Sequence, residues 1–440
     1  MRRADLAEYY PWFVVFLMFC GYAVSFLDRS LVNVASAPIK HDLGLSDTQF
    51  GLVSGTSFVI LYSLCGIPLG RLADRVDRRG MIALGILFWS AMTAVCGIAG
   101  SFPMFLAGRI GVGLGEASLV PAGMSLIGNT MPRHRTGRAV AIFIMGATVG
   151  NATALIGGGY LLTRLTRNGP TLMPLVGSLA PWQMLFLIAC VPGLVIAALT
   201  MSLREPDRPP PAVGERSGLR AAWVHIGTHR GAYGFLTAAT SCLLVLTQAQ
   251  SAWAPLFFVR HFGLAPGESA VLVGTLFLLS APTGQFVGGW VSDRLQALGV
   301  GGAQNLTMAL CLILALLPAA IFCTTGLLWL SKLAYPAFTF LIAAASPNAL
   351  AALQLLTPAR HRGIASALFM SIVTLIGIGA GPATVGLLTD HLFGDERALG
   401  FSLLTVILAG GLAGALLAWA GRRPFAQALG VASSRSTSPG

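Results

Sequence analysis

Charge is scarce in this sequence. Asp, Glu, Lys and Arg make up 10% of its 440 residues, with 16 carboxylates against 28 Lys and Arg. A soluble domain carries about 25% charged residues, so a water-soluble fold is excluded. All seven cysteines (Cys20, Cys65, Cys96, Cys190, Cys242, Cys311 and Cys323) fall in apolar runs without metal-ligand spacing and read as small core residues. None of the seven histidines lies at the centre of such a run, and no nucleophile–base arrangement is present. Neither an enzyme, a metal site nor a cofactor is expected. No cleavable signal peptide is expected either: Arg2 and Arg3 precede the first apolar run, but no small-residue cleavage site follows a short apolar core.

Apolar length is what the chain has in abundance. Hydrophobic residues are 55% of it, and the mean hydropathy is +0.76. Twelve apolar runs can be marked: 12–36, 49–72, 80–100, 102–128, 137–162, 182–203, 232–259, 268–292, 304–323, 326–356, 363–389 and 398–420. Each matches the roughly 20 residues needed to cross a bilayer as a helix. The expected fold is an all-α integral membrane protein with twelve transmembrane helices, here spans one to twelve.

The net charge of +12 might suggest a nucleic-acid partner, but its placement argues otherwise. With both termini and the even-numbered connections on one side, that side takes 20 of the 28 Lys and Arg, and the opposite side five. Arg29, Arg109 and Lys332 lie inside runs. By the positive-inside rule both termini are cytoplasmic, in a cell (inner) membrane. The basic charge reports topology. A monomer in the bilayer, without nucleic acid, is expected.

Two matches indicate an internal repeat. Gly289-Trp290-Val291-Ser292-Asp293-Arg294 after span eight is a weaker copy of Gly70-Arg71-Leu72-Ala73-Asp74-Arg75 after span two. At an offset of 226, Pro132, Gly137, Phe143 and Thr148 meet Pro358, Gly363, Phe369 and Thr374, with further identities on the same register. The chain therefore reads as two six-helix bundles in parallel repeat, 1–203 and 232–421. They are joined by a cytoplasmic linker, 204–231, and followed by a disordered cytoplasmic tail, 422–440.

Charge inside the membrane marks the candidate site, because a central ion costs about 2.5–3.5 kcal/mol on insertion scales. In span four, Arg109 and Glu116 share one helix face to within about 20°. Gly108, Gly111 and Gly115 form a small-residue face on which another backbone can approach. In span one, Asp28 and Arg29 are adjacent and must diverge. Tyr22, Ser25, Arg29, Asn33 and Ser36 are spaced 3, 4, 4 and 3 apart, so Arg29 belongs to a polar stripe, while Asp28 points elsewhere, toward span four. In span ten, Lys332, Tyr335, Thr339 and Ser346 share a face in a helix interrupted by Pro336 and Pro347. Lys332 has two readings, a cavity contact or an interfacial snorkel. Asp74, Arg75, Arg78, Asp293 and Arg294 are the candidate gating charges: Asp74 is expected near Gly363 and Asp293 near Gly137, each a carboxylate at a helix start.

On these features the chain resembles the major facilitator superfamily over nearly its full length. The 70–79 run is similar to that superfamily's loop between spans two and three, with Asp77 where glycine is usual. Phe26-Leu27-Asp28-Arg29, Asp42-Leu43-Gly44-Leu45-Ser46, Gly113-Leu114-Gly115-Glu116-Ala117 with Pro121-Ala122, and Trp253-Ala254-Pro255 resemble the spinster-like branch. Organic anion symporters for hexuronates and aldonates share the Asp-Arg and Arg…Gly-x-x-Glu-Ala elements. Span five reads Gly150-Asn151 where the antiporter motif has Gly-Pro, which points away from drug efflux. The resemblance implies lysolipid-like or related amphipathic anions as substrates, with proton coupling.

The functional expectation is a proton-coupled secondary transporter working by alternating access. The intramembrane charges are Arg29, Arg109 and Lys332 against Asp28 and Glu116, an excess of one positive that suits an organic anion. Arg29, Tyr22, Ser25, Asn33, Lys332, Tyr335 and Thr339 are the candidate substrate contacts. Glu116, Asp28 and Arg109 are the candidate proton-coupling groups, with Glu116 the carrier. Alternative readings are an uptake symporter for sugar acids and a non-transporting receptor on the same fold.

Overall fold

The computed structural model describes residues 3–73, 75–132, 134–174, 177–205, 215–358 and 361–430. Within them, twelve helices are long and apolar enough to cross a membrane: Tyr9–Val34, Asp47–Gly66, Arg78–Gly97, Phe102–Thr130, Thr136–Asn168, Pro181–Met201, Arg230–Phe262, Pro266–Ala297, Ala303–Thr324, Leu328–Leu356, Arg362–Phe393 and Glu396–Ala428. Each overlaps one of the twelve apolar runs.

Local chemistry fixes several ends. Gly44 takes a left-handed conformation (φ 60°) that closes the short helix Ser36–Leu43. Ser46 and Gln49 then form a reciprocal capping box that starts span two. Asp77 caps span three, accepting the Arg79 backbone N–H. Among the described residues, π turns at Leu52–Thr56 and Ala154–Gly158 interrupt spans two and five, and a third, Leu388–Phe393, ends span eleven.

The chain forms two compact units. Unit 1 comprises Met1–Pro210 with Ala252–Thr275, and unit 2 comprises Pro211–Ser251 with Leu276–Gly440. In unit 1, span one packs along span five, and span three along spans four and six. In unit 2, span nine packs against spans ten and twelve. A similar helix–helix contact recurs in the two units. A Cβ on Gly146 of span five would come 2.7 Å from the Phe19 carbonyl and 3.2 Å from the Ala23 nitrogen of span one. A Cβ on Gly381 of span eleven would meet Val245 and Ala249 of span seven at the same 2.7 and 3.2 Å. Phe19 and Ala23 match Val245 and Ala249 at the offset of 226, whereas Gly146 and Gly381 are 235 apart, so the two units make a similar glycine-on-backbone contact in a shifted register.

The 204–231 segment contains a helix, Glu215–Thr228. Two expectations are corrected. Asp293 and Arg294 are not in a loop: span eight continues as helix to Ala297, and both side chains are exposed on its last turns. The tail does not begin at 422, because span twelve runs to Ala428. Fully buried Phe425 anchors that extension, and Arg422 donates to the Gly301 carbonyl at 3.5 Å. Residues 431–440 lie outside the described residues.

Candidate functional site

Span one sends its two charges to different neighbours. The Arg29 guanidinium reaches Glu116 of span four, with Nε and Nη2 each 2.6 Å from Oε2. Ser25, one turn earlier, donates to the same oxygen at 2.6 Å. Three donors converge on Oε2, while Oε1 is buried without a hydrogen-bond partner. Aromatic rings enclose the guanidinium: its carbon lies 4.7 Å from the Phe26 centroid, 4.3 Å from Phe58 and 4.9 Å from Tyr62. Phe58 and Tyr62 are one turn apart on span two and stack on each other. Ring faces compensate a cation for lost water, each contributing from about 0.5 to 2 kcal/mol as desolvation deepens. Of the remaining stripe, Tyr22 stacks on Phe143 of span five at 4.7 Å, and Asn33 is buried with Oδ1 unpartnered.

Glu116 owes its position to a break in its helix. Span four consists of Phe102–Glu116 and Leu119–Thr130, joined by a turn at Ala117 and Ser118. Pro121 is the cause: it has no N–H for the Ala117 carbonyl, and its ring crowds that oxygen. Ser118 Oγ donates to the Gly115 carbonyl at 2.9 Å. The glycine face receives span three, where a Cβ on Gly108, Gly111 or Gly115 would come 2.6 Å from Cys96, 2.5 Å from Met92 or 2.8 Å from Trp89.

Arg109 and Glu116 share a face but not a bond, because two turns separate them by about 10.5 Å along the axis. One expectation, the direction of Asp28, is corrected here. Arg109, 1% exposed, donates from Nε to the Val53 carbonyl at 3.2 Å and from Nη1 to the Asp28 carbonyl at 3.5 Å. Val53 belongs to the π turn of span two, where the ordinary carbonyl ladder is loosened. The Asp28 carboxylate meets span three and not span four. Its Oδ2 accepts from Thr93 Oγ1 at 3.3 Å, and Oδ1 is buried without a hydrogen-bond partner.

Two further charged clusters flank this centre. At the start of span two, fully buried Asp47 binds Lys40 through Oδ1 at 2.5 Å and Arg260 through both oxygens at 2.8 and 2.9 Å. Asp42 of the same segment accepts the Trp182 indole N–H at 2.7 Å. At the start of span three, Arg78 is 2% exposed and donates to Glu205 at 2.6 Å and to Ser125 Oγ at 3.1 Å. Burial pushes the Asp77 carboxyl up, and hydrogen bonds from Arg79 outweigh this and hold it below its ordinary value. Arg75 is exposed. Asp74 lies outside the described residues, and with it the contact expected near Gly363.

In unit 2 the span-ten residues are held by neutral bonds. Gln250 Nε2 donates to Thr339 Oγ1, which donates to the Tyr335 carbonyl at 2.9 Å. Tyr335 is 1% exposed and meets Phe322 edge-on. Lys332 is half-buried and forms no ion pair with a described residue. Sequence reasoning passed over Phe58, Tyr62, Asp47, Arg260, Glu205 and Gln250. The four-residue spacing of Phe58 and Tyr62 was a usable signal, since it places both rings on one face.

The chain is 27% identical over 415 residues to an MFS-type efflux pump of Mycolicibacterium smegmatis, covering 93% of this chain and 92% of the relative. It is 26% identical to a probable L-galactonate transporter of Escherichia coli, over 70% of this chain and 66% of that one. Among solved structures, a bacterial homologue of the human lysosomal transporter spinster, in an inward-facing and unoccupied conformation, aligns with a TM-score of 0.79. That alignment has 24% identity and covers 98% of this chain and 99% of the other. A family model described as Major Facilitator Superfamily matches residues 18–382. The chain belongs to the major facilitator superfamily, as a multi-pass membrane transporter with twelve spans.

Proposed function

We propose that this transporter moves an organic anion across a cell (inner) membrane by alternating access, coupled to protons, with both termini in the cytoplasm. The observation that carries the proposal is the Glu116 carboxyl. It is fully buried, three donors crowd one oxygen, and the other oxygen has no partner. A buried charge costs more than a buried neutral group, and a proton on Oε1, the oxygen that no donor occupies, would neutralise it. Protonation would also weaken the hold of Glu116 on Arg29, freeing a guanidinium already enclosed by three rings.

That guanidinium is the substrate anchor in this reading. With Glu116 ionised, Arg29 and Arg109 balance Asp28 and Glu116; with Glu116 protonated, the cluster gains one net positive charge. An anionic substrate then takes the place of Glu116 opposite Arg29, and departure of the proton displaces it. The rings of Phe26, Phe58 and Tyr62 suit a substrate with an apolar portion. Asp28, with Oδ1 also unpartnered, is the second proton site. Exposed Arg75, Asp293 and Arg294 are available for charged contacts made and broken during the cycle.

Resemblance to spinster supports a lysolipid-like anion as the substrate. A sugar acid is the second reading, favoured by similarity to the probable L-galactonate transporter. Uptake into liposomes under an imposed pH gradient tests the proposal. Radiolabelled lysophospholipid and L-galactonate would be compared, and accumulation of one of them that collapses with a protonophore is expected. Transport of an anion that ignores the gradient would remove proton coupling.

A further inference from the structure

A groove of about 500 Å3 opens in unit 2. The connecting helix Glu215–Thr228 contributes Trp223 and Ile226, span seven contributes Arg230 and Ala238, and span eleven contributes Ile372 and Ile376. The volume falls within the roughly 300–1,000 Å3 of ordinary ligand sites. Its lining is apolar except for a few hydroxyls and one charged residue, Arg230.

Position says what medium this groove meets. Span seven begins at Arg230, so its first turns lie at membrane-interface depth, where tryptophan is favoured. Trp223 and Val224 are 55% and 63% exposed, and Ile372 and Ile376 are 46% and 43% exposed. Apolar surface of this extent beside a membrane span suits lipid better than water. The groove therefore starts at headgroup depth beside Arg230 and descends along spans seven and eleven into hydrocarbon. The connecting helix and the first turns of span seven, residues 215–241, carry Arg216, Arg220 and Arg230 against one carboxylate, Glu215. That charge selects an anionic headgroup, since each interfacial Lys or Arg contributes about 1 kcal/mol toward an anionic leaflet.

We infer that the groove seats one acyl chain of an anionic phospholipid, with the lipid phosphate paired to Arg230. The connecting helix is then an interfacial helix held by lipid. This site lies outside the Arg29–Glu116 centre and does not depend on the identity of the transported anion.

Quenching of Trp223 by brominated phospholipids tests the assignment on the purified, delipidated full chain. The Trp223 signal is taken as the difference between the parent and Trp223→Phe. Brominated phosphatidylglycerol should quench it at a several-fold lower mole fraction than brominated phosphatidylcholine. Arg230→Gln should reduce the two lipids to equal potency, whereas Arg230→Lys should keep the preference. Ala238→Phe, which fills the groove, should lower quenching by both. Equal quenching of the parent by the two lipids, or a preference that survives Arg230→Gln, would overturn the inference. Absence of quenching by either lipid would also overturn it and assign the groove to a soluble segment.

Discussion

The interior of unit 1 holds Asp28, Arg29, Arg109 and Glu116, whereas the interior of unit 2 places Gln250, Tyr335 and Thr339 on its spans seven and ten. Both units use a similar glycine-on-backbone contact, so the contrast is not one of helix packing alone. It is one of electrostatic cost. Neutral hydrogen bonds buried in unit 2 each contribute about 1 kcal/mol and tolerate loss. Ions buried in unit 1 are stable only as a set, since removing one member strands another. The buried ions thus lie in one unit, and the other relies on shape and neutral hydrogen bonding.

Four substitutions test this contrast. Arg109→Ala should have the largest effect, because Asp28 and Glu116 lose a nearby buried cation. We expect loss of both counterflow and driven uptake, with destabilisation of about 3–5 kcal/mol read as a fall in thermal unfolding temperature in detergent. Wild-type-like unfolding of this variant would mean that the cluster is hydrated. Glu116→Gln should abolish accumulation under a pH gradient while counterflow persists, because glutamine imitates the protonated carboxyl and has no proton to release. Driven accumulation equal to the parent's would make Glu116 structural and leave Asp28 as the proton site.

Asp47→Asn should come next, leaving Lys40 and Arg260 close together without their shared anion. A loss of roughly 3 kcal/mol is expected. The second change Lys40→Met should recover part of it, as measured by the same unfolding assay. A double variant no more stable than the single one would show that the triad is not held by charge. Thr339→Val should be mildest, at about 1 kcal/mol, with counterflow preserved at a raised KM if Thr339 touches substrate. An unfolding shift as large as that of Arg109→Ala would erase the distinction between the two interiors.

How much of this was legible in sequence follows from the range of each interaction. The twelve spans depend on local hydropathy, so all twelve were found with ends shifted by a few residues. Divergence of Asp28 and Arg29 followed from 100° per residue, a property of one helix. The partner of Glu116 did not: Arg29 is 87 residues away, and the nearer candidate on the same face, Arg109, is two turns out of reach. Asp47 and Arg260 are 213 residues apart, and their bond follows from tertiary packing that neither segment announces. The break after Glu116 was written in Pro121, yet an unbroken apolar run hid it. The overrun of span twelve to Ala428 was obscured by Arg422, Arg423 and Pro424, which read as an ending until Phe425 is seen to be buried.

Gly146 and Gly381 carry a consequence for genetics. Any side chain at either position would press within 2.7 Å of a carbonyl oxygen on the neighbouring helix. In a saturation library selected for transport, alleles at both codons should be depleted almost completely, alanine included, as severely as alleles at Glu116. Those losses would trace failed assembly in the membrane, so protein abundance scored in parallel is what separates the two classes. Codons depleted for transport at normal abundance would mark the working site, and the two glycines would drop out of that map.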